Sequence, residues 1–177
     1  MSVRSEAASP LRPDDRAFVE TLVRDLGPRV LAYVHRVCGD RQAAEDIVAE
    51  TFCRAVENLS AVRTGGRHDL YVLTIARNLC RDRFRRRRSS ESAEWLDERM
   101  ASGETPEDAA VLQEQRETVR AAVDELPEPL REVVVLRMSV GLRFEEIAEL
   151  LHIPLGTALS RMHAALQRLR SALGVER

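Results

Sequence analysis

Apolar side chains recur every three or four positions along most of the chain, and no stretch alternates long enough to predict a strand. From Asp14, the spacing of Phe18, Leu22, Val23 and Leu26 predicts a first helix, which Gly27-Pro28 should punctuate. Pro28 is expected to open a second helix, its apolar face being Val30, Leu31, Val34 and Val37. Gly39-Asp40 reads as a helix stop followed by a new cap. The clearest helix runs from Asp40 to Leu59. Ala43, Ala44, Ile47, Val48, Thr51, Phe52, Ala55, Val56 and Leu59 form its stripe, with Glu45, Asp46, Glu50, Arg54 and Glu57 opposite. Residues 60–68, with Gly65-Gly66, read as a loop. A helix from about Asp69 to Arg86 would turn Val72, Ile75, Ala76, Leu79 and Cys80 inward. Arg77, Arg81, Arg85 and Arg88 would share its outer face.

The pattern then lapses. Residues 89–108 hold four Ser and seven acidic residues against one Arg, the composition of a linker. Trp95, Leu96 and Met100 are its large apolar side chains. Helical spacing resumes with Leu112, Val119, Ala122, Val123 and Leu126 on one face. Pro127 should start a helix through Met138 that Gly141 ends. Phe144 to Leu151 reads as a short helix, His152-Ile153-Pro154 as a turn. A last helix carries Leu155, Ala158, Leu159, Met162, Ala165, Leu166, Leu169 and Leu173. The expectation is an all-α protein: an arm at 1–13, a helical module at 14–88, an acidic linker at 89–108 and a second module at 109–177.

Composition narrows the class. The chain has 177 residues, 44% apolar and only 4% aromatic, which suits small helical cores better than a β-sandwich. No apolar run approaches the roughly 20 residues that span a bilayer, and no signal-peptide core is seen, so a cytoplasmic protein without membrane insertion is expected. Cys38, Cys53 and Cys80 are far apart and odd in number, which suits a reducing compartment and no disulfide framework. Net charge is −2, but its distribution is uneven. Residues 63–90 hold 9 Arg against 2 acids, and residues 91–136 hold 4 Arg against 13 acids. Blocks of +7 and −9 side by side predict that the acidic segment folds back over Arg77, Arg81 and Arg85 in the free chain.

Two elements suggest nucleic acid. Helices 144–151 and 155–173, with a short turn between them, form a helix-turn-helix outline, whose second helix offers Gly156, Thr157, Ser160, Arg161 and His163 at its N-terminal end. Thr157, Ser160 and Arg161 can bond phosphates or base edges. The arginines of 69–88 form a phosphate-tracking face suited to melted or single-stranded nucleic acid. Tyr71 and Phe84 are the aromatics near it. The carboxylates of 45–57 lack a nucleophile or a His or Cys at metal spacing, so they read as a solvated or partner-binding face. His35 and Cys38 lack a second ligand pair. No phosphate-binding glycine loop occurs. No catalytic residue, metal or cofactor is expected.

Three motifs in order carry a family resemblance. Gly39-Asp40 with Ala44-Glu45-Asp46-Ile47-Val48-Ala49-Glu50-Thr51-Phe52 resembles the second conserved region of bacterial extracytoplasmic-function (ECF) sigma factors. Leu73-Thr74-Ile75-Ala76-Arg77-Asn78-Leu79, Asp82-Arg83 and the Arg run resemble that family's −10-reading segment. Leu126-Pro127, Arg131, Val133, Gly141, Glu146-Ile147-Ala148, Pro154-Leu155-Gly156-Thr157 and Ser160-Arg161 resemble its fourth region. The resemblance implies an RNA polymerase sigma factor that catalyses nothing. It implies core polymerase binding through Glu45, Asp46, Ala49, Glu50 and Arg54 on the clamp helices, and docking of the second module on the flap. It implies −10 reading and opening through Arg63, Arg67, Arg77, Asn78, Arg81, Arg83 and Arg85, and −35 reading through Gly156, Thr157, Ser160, Arg161 and His163. An anti-sigma partner is implied too. Three departures stand out: Tyr71 where many members have Trp, Arg143 at a usual small cap, and Leu159 and Ala164 where basic residues are common. The last two imply a modest −35 contribution. The alternative is a stand-alone helix-turn-helix regulator. A net charge of +2 over the last 41 residues argues against it, because independent duplex binding needs more cations. A hydrolase using the 45–57 carboxylates is a remote third.

Overall fold

The computed structural model describes residues 12–64, 66–89 and 106–175, with side chains at 12–64, 66–86 and 114–175. Except at their inner ends, the expected arm and linker, with Trp95, Leu96 and Met100, lie outside the described residues. So do the side chains of Leu112 and Arg88. Among the described residues the order is α1 (Pro13–Cys38), α2 (Arg41–Glu57), α3 (Leu59–Thr64), α4 (His68–Ser89), α5 (Pro106–Asp124), α6 (Glu128–Met138), α7 (Phe144–Leu151) and α8 (Leu155–Ala172). No strand interrupts them. In the first module α1 packs on α2 and α4, and α2 packs on α4. In the second α8 packs on α5, α6 and α7.

The expected break at Gly27-Pro28 does not occur: α1 runs through Pro28 for 26 residues. A proline inside a helix removes one N–H and costs about 3 kcal/mol or more. Leu22 and Leu26 before it, and Val30, Tyr33, Val34 and Cys38 after it, are buried along one continuous stripe. Each large apolar side chain contributes about 1.5–3 kcal/mol on burial, so the stripe outweighs the proline. The same packing corrects the expected faces, because Val23 and Leu31 point outward while Tyr33 is fully buried.

Where caps are local, the expected boundaries hold. Gly39 adopts φ 69° and its N–H bonds the His35 carbonyl, ending α1. Asp40 Oδ1 then accepts from the amides of Gln42 at 3.0 Å and Ala43 at 3.3 Å, starting α2. Ala43, Ala44, Ile47, Thr51, Ala55 and Leu59 are buried as the stripe requires, with Val48, Phe52 and Val56 half-buried. Thr51 satisfies its buried hydroxyl by donating to the Ile47 carbonyl. Part of the expected 60–68 loop is instead the one-turn helix α3, anchored by buried Leu59 and Val62. Helix α6 ends at Met138 with Ser139 as its cap, two residues before Gly141, which lies in the following turn at φ 80°.

The second module closes over two apolar groups. Val133, Val135, Leu136, Leu142, Ile147, Leu150 and Ala158 join the large core, while Val123, Leu126, Val134 and Ala165 form a smaller one with Leu130, Met162 and Leu169. Val119 lies outside it, exposed on α5. The expected eight-residue stripe of α8 is likewise split: Ala158 and Ala165 are buried, whereas Leu155, Leu159 and Leu166 are exposed. Small residues let α8 approach its neighbours closely, and the leucines beside them are left on the rim.

Candidate nucleic-acid and partner interfaces

The outward stripe of α2 gathers Glu45, Asp46, Ala49, Glu50 and Arg54, all exposed. Its polar contacts are local. Arg41 pairs with Glu45 at 2.9 Å, Arg54 with Glu50 at 2.8 Å, and Gln42 donates to Asp46 at 3.4 Å, each one helical turn apart. These contacts all lie within α2, so the stripe is an exposed, mainly acidic surface open to a partner.

The basic face of α4 is built differently. Asn78 and Arg81 are exposed, and Arg85 reaches back to Asp82 at 3.1 Å. Arg77 does not share their outer face. Its side chain is 13% exposed and meets Glu132 of α6, itself 16% exposed, with Nε at 2.6 Å from Oε1 and Nη2 at 3.4 Å from Oε2. Burial lowers the proton affinity of Arg77, but the hydrogen bond and charge of Glu132 more than offset it, leaving the group above the usual guanidinium value. Tyr33 Oη lies 3.5 Å from the same carboxylate. Burial, then the Glu132 charge, raises the Tyr33 phenol well above its ordinary value, so it stays a neutral donor.

The remaining arginines of this group are also engaged. Arg63 bonds Asp15 at 2.6 Å and stacks over Phe18. Arg67 reaches Glu149 at 3.1 Å and Glu146 at 3.5 Å on α7. Arg83 contacts Asp40 at 3.4 Å, tying α4 to the cap of α2. Tyr71 and Phe84 are half-buried, and Tyr71 packs against the core. The acidic segment therefore does fold onto one of the three arginines expected beneath it, Arg77, through Glu132. Arg81 stays exposed and Arg85 pairs within its own helix.

In the second module α7 and α8 form the expected helix-turn-helix. His152 takes φ 53° to end α7, the Ile153 amide bonds the Ala148 carbonyl, and Pro154 opens α8. At the other end of α7 the Glu146 carboxylate accepts from the Arg143 amide at 2.7 Å and from its guanidinium at 3.1 Å. Arginine has no acceptor to return to the helix, so only the Glu146 half of a capping box operates. The amide bond chiefly, with the Arg143 guanidinium, holds the Glu146 carboxyl below its usual range. Gly156, Ser160 and His163 are exposed, Thr157 and Arg161 half-buried, and Ser160 donates to the Thr157 carbonyl at 3.0 Å. The exposed Leu159 sits among them without charge. No group of three or more potential metal ligands occurs among the described residues, and His35 with Cys38 gathers none. Cys38 instead contacts Cys80, Sγ to Sγ at 3.8 Å, in the core.

Arg29, Arg36 and Glu132 were not signalled by the sequence as members of any site. Their partners lie 111, 84 and 55 residues away, and no short-range spacing marks such pairs.

A basic helix in one module and a helix-turn-helix in the other are the outline of a DNA-binding transcription protein, and the comparisons with known proteins agree. The family model for sigma-70 region 2 matches residues 22–90, and that for sigma-70 region 4 matches residues 116–169. The chain is 29% identical to the ECF RNA polymerase sigma factor SigW of Bacillus subtilis, over 98% of this chain and 97% of that protein. It is 32% identical to the RNA polymerase sigma-H factor of Pseudomonas aeruginosa, over 92% and 89%. Its fold resembles the sigma factor RpoE of Bartonella quintana, solved with the anti-sigma factor NepR, at a TM-score of 0.71, with 20% identity and coverage of 94% and 100%. CnrH, solved with the cytosolic domain of CnrY, gives a TM-score of 0.66 at 24% identity, covering 92% of this chain and 91% of that one. The chain belongs to the ECF RNA polymerase sigma factors, which direct promoter-specific transcription initiation. No described helix is long and apolar enough to cross a membrane.

Proposed function

We propose that the α2 stripe of Glu45, Asp46, Ala49, Glu50 and Arg54 binds the clamp helices of core polymerase, and that α4 with the residues before it reads and opens the −10 element. Residues 14–88 then act as region 2 and residues 109–177 as region 4, flanked by the arm at 1–13 and the acidic linker at 89–108. Asn78 contacts bases, Arg77, Arg81, Arg83 and Arg85 chiefly contact phosphates, and Arg63 and Arg67 also contact the −10 element. Gly156, Thr157, Ser160, Arg161 and His163 dock on the −35 duplex while the second module sits on the flap. The chain works in the cytoplasm without catalysis of its own. An anti-sigma factor is its expected regulator, in keeping with the complexes in which both structural neighbours were solved. The observation that carries this reading is the matched order of regions 2 and 4, with the α2 stripe, Asn78 and Arg81 exposed in the first and Gly156, Ser160 and His163 exposed in the second.

Run-off transcription with core polymerase tests it. Arg81→Ala should weaken open-complex formation at every promoter. Thr157→Ala and Arg161→Ala should reduce initiation only on templates with an intact −35 element, each base contact being worth roughly 1–3 kcal/mol. If scrambling −35 abolishes initiation while scrambling −10 is tolerated, the assignment is reversed.

A further inference from the structure

Cys38 and Cys80 are two nucleophilic groups that promoter reading does not use. Cys38 is the last residue of α1, and Cys80 lies in the middle of α4. Both are thiols buried in the core that also holds Val34, Ala44 and Ala76. They lie 42 residues apart in sequence, yet Cys38 Sγ is 3.8 Å from Cys80 Sγ. No third potential metal ligand gathers beside them among the described residues, so the chemistry open to the pair is that of two thiols. The separation exceeds a disulfide bond by about 1.8 Å, within reach of side-chain rotation and a small shift of one helix end. That end has a pivot, because Gly39 follows Cys38 directly and turns the chain at φ 69°.

The same junction joins the two candidate faces of the first module. Asp40, two residues after Cys38, caps α2 and meets Arg83 of α4 at 3.4 Å. Cys80 sits between Asn78 and Arg81, the exposed residues assigned to the −10 strand. Drawing the two sulfurs together therefore moves the start of α2 against the middle of α4. The face that meets core polymerase and the face that meets DNA are then held away from their resting spacing, while the α2 stripe itself is untouched.

We propose that Cys38 and Cys80 are an oxidisable dithiol, a site that a peroxide converts to a disulfide between α1 and α4 and that thereby weakens the engagement of α4 with the −10 strand. The effect on α4 rests on the −10 reading above, whereas the disulfide does not. Attack begins at Cys38, because fraying of the last turn of α1 exposes its thiol, whereas Cys80 is held inside a helix. The Cys38 thiolate attacks one peroxide oxygen, the O–O bond breaks and hydroxide leaves, giving a sulfenic acid. When the helix end closes again, the Cys80 sulfur attacks the Cys38 sulfur. The S–O bond breaks, and the hydroxyl departs as water with the Cys80 proton. The two sulfurs lose two electrons in all, and the peroxide gains them. The hydrogen bond shared with Cys38, then burial, holds the Cys80 thiol protonated far above its usual range, so the pair reacts more slowly than the exposed Cys53. In a reducing compartment it answers sustained oxidation, and a dithiol reductant resets it.

The test uses the full chain with Cys53→Ser, so that only the buried pair carries thiols. Hydrogen peroxide should remove both free thiols and yield a peptide cross-linked from residue 38 to residue 80, and dithiothreitol should reverse it. The same treatment in urea is the reference for chance pairing. A cross-link that forms only in the unfolded chain, or intact thiols in the folded chain after prolonged peroxide, overturns the proposal. The reduced and oxidised forms of this one chain are then compared on core polymerase after catalase removes the peroxide, so no further variant has to fold. Oxidation should leave core affinity within about twofold and lower open-complex formation at least about threefold, and dithiothreitol should restore it. Cys38→Ala in the same background should lose the peroxide effect. A loss that persists in Cys38→Ala, or that dithiothreitol does not restore, is damage elsewhere and overturns the switch. A complete disulfide with unchanged open complexes overturns the action on α4 and leaves the redox site standing. If Arg81→Ala also leaves open complexes unchanged, it is the −10 reading that fails.

Discussion

Helices α2 and α4 carry the two candidate faces of the first module, and their ion pairs are organised in opposite ways. On α2 each arginine meets a carboxylate one turn away on the same helix, in water. Around α4, Arg63, Arg67, Arg77 and Arg83 reach carboxylates on other elements, 43 to 82 residues distant in sequence. Local pairs at the surface contribute a few tenths of a kcal/mol and leave the face open. A pair sealed between modules contributes to stability only while the modules stay together, and its charge is out of reach of a ligand. The same residue type therefore advertises one surface and withholds the other.

The largest expected effect separates the two kinds of pair. Glu132→Ala leaves the mostly buried Arg77 guanidinium without its carboxylate and should cost about 3 kcal/mol, the lower end for breaking a buried pair. Arg41→Ala, which removes an exposed pair on α2, should cost about 0.5 kcal/mol or less. Urea unfolding followed by circular dichroism measures both. The Glu132 loss should appear as a lower midpoint or as two transitions once the modules uncouple. A single transition at the parental midpoint would break the comparison at its strongest contact.

Binding reverses the ranking. Charge reversal of Asp46 and Glu50 should weaken core polymerase binding by more than about tenfold, roughly 1.4 kcal/mol. Because both are exposed, stability should move by less than about 0.5 kcal/mol. Titration of labelled core against the double variant decides this, and unchanged affinity with a normal melt would remove the α2 stripe from the interface.

This contrast also explains what could be read from the chain. The start of α2 and the limits of α7 and α8 are legible because their causes are local: Asp40 caps, His152 turns, and the stripe of Ile47, Thr51 and Ala55 repeats at helical spacing, whereas the expected run to Leu59 stops at Glu57, and Leu59 opens α3. The Pro28 break was the wrong reading because burial of Leu26, Val30 and Tyr33 is set by α2, α4 and α6, which no window around Pro28 contains. Arg77 reads as outward in the sequence for the same reason. Its helical phase with Arg81 and Arg85 is real, but the inner end of that face is covered by α6. Charge blocks of opposite sign did foreshadow the contact, although not Glu132 as the residue making it.

Asp40 joins the two helices and gives a smaller effect. Its Oδ1 caps α2 while its Oδ2 meets Arg83 of α4. Asp40→Ala should lose the cap, about 1 kcal/mol, whereas Asp40→Asn retains a capping oxygen and should lose only the exposed pair, about 0.5 kcal/mol or less. Thermal melts of the two variants distinguish them. Equal losses would mean that the pair to α4, not the local cap, fixes the start of α2.

The smallest effect concerns Glu146, which takes part in both kinds of contact. Locally it accepts from the Arg143 amide at 2.7 Å, and across the modules it meets Arg67 at 3.5 Å. Its carboxyl is held below the usual range, chiefly by that amide bond, with Arg67 the least of the contributors. A carboxylate depressed on folding adds stability above its unfolded value, about 4.3, and loses it as pH falls through the lower folded value. The start of α7 should therefore weaken as pH falls below about 4.3 and through the lower folded value, beyond the general loss of other carboxylates. Glu146→Gln keeps an acceptor for the Arg143 amide but has no charge to lose. Its melting temperature should lie below the parent's at pH 6, and the gap should narrow as pH falls below the unfolded carboxyl value and close below the lower folded one. Arg67→Ala should leave most of that gap in place, because the local bond dominates. A gap independent of pH would show that Glu146 acts by shape alone, and a gap abolished by Arg67→Ala would move Glu146 from the local class of contact into the pairs between the modules.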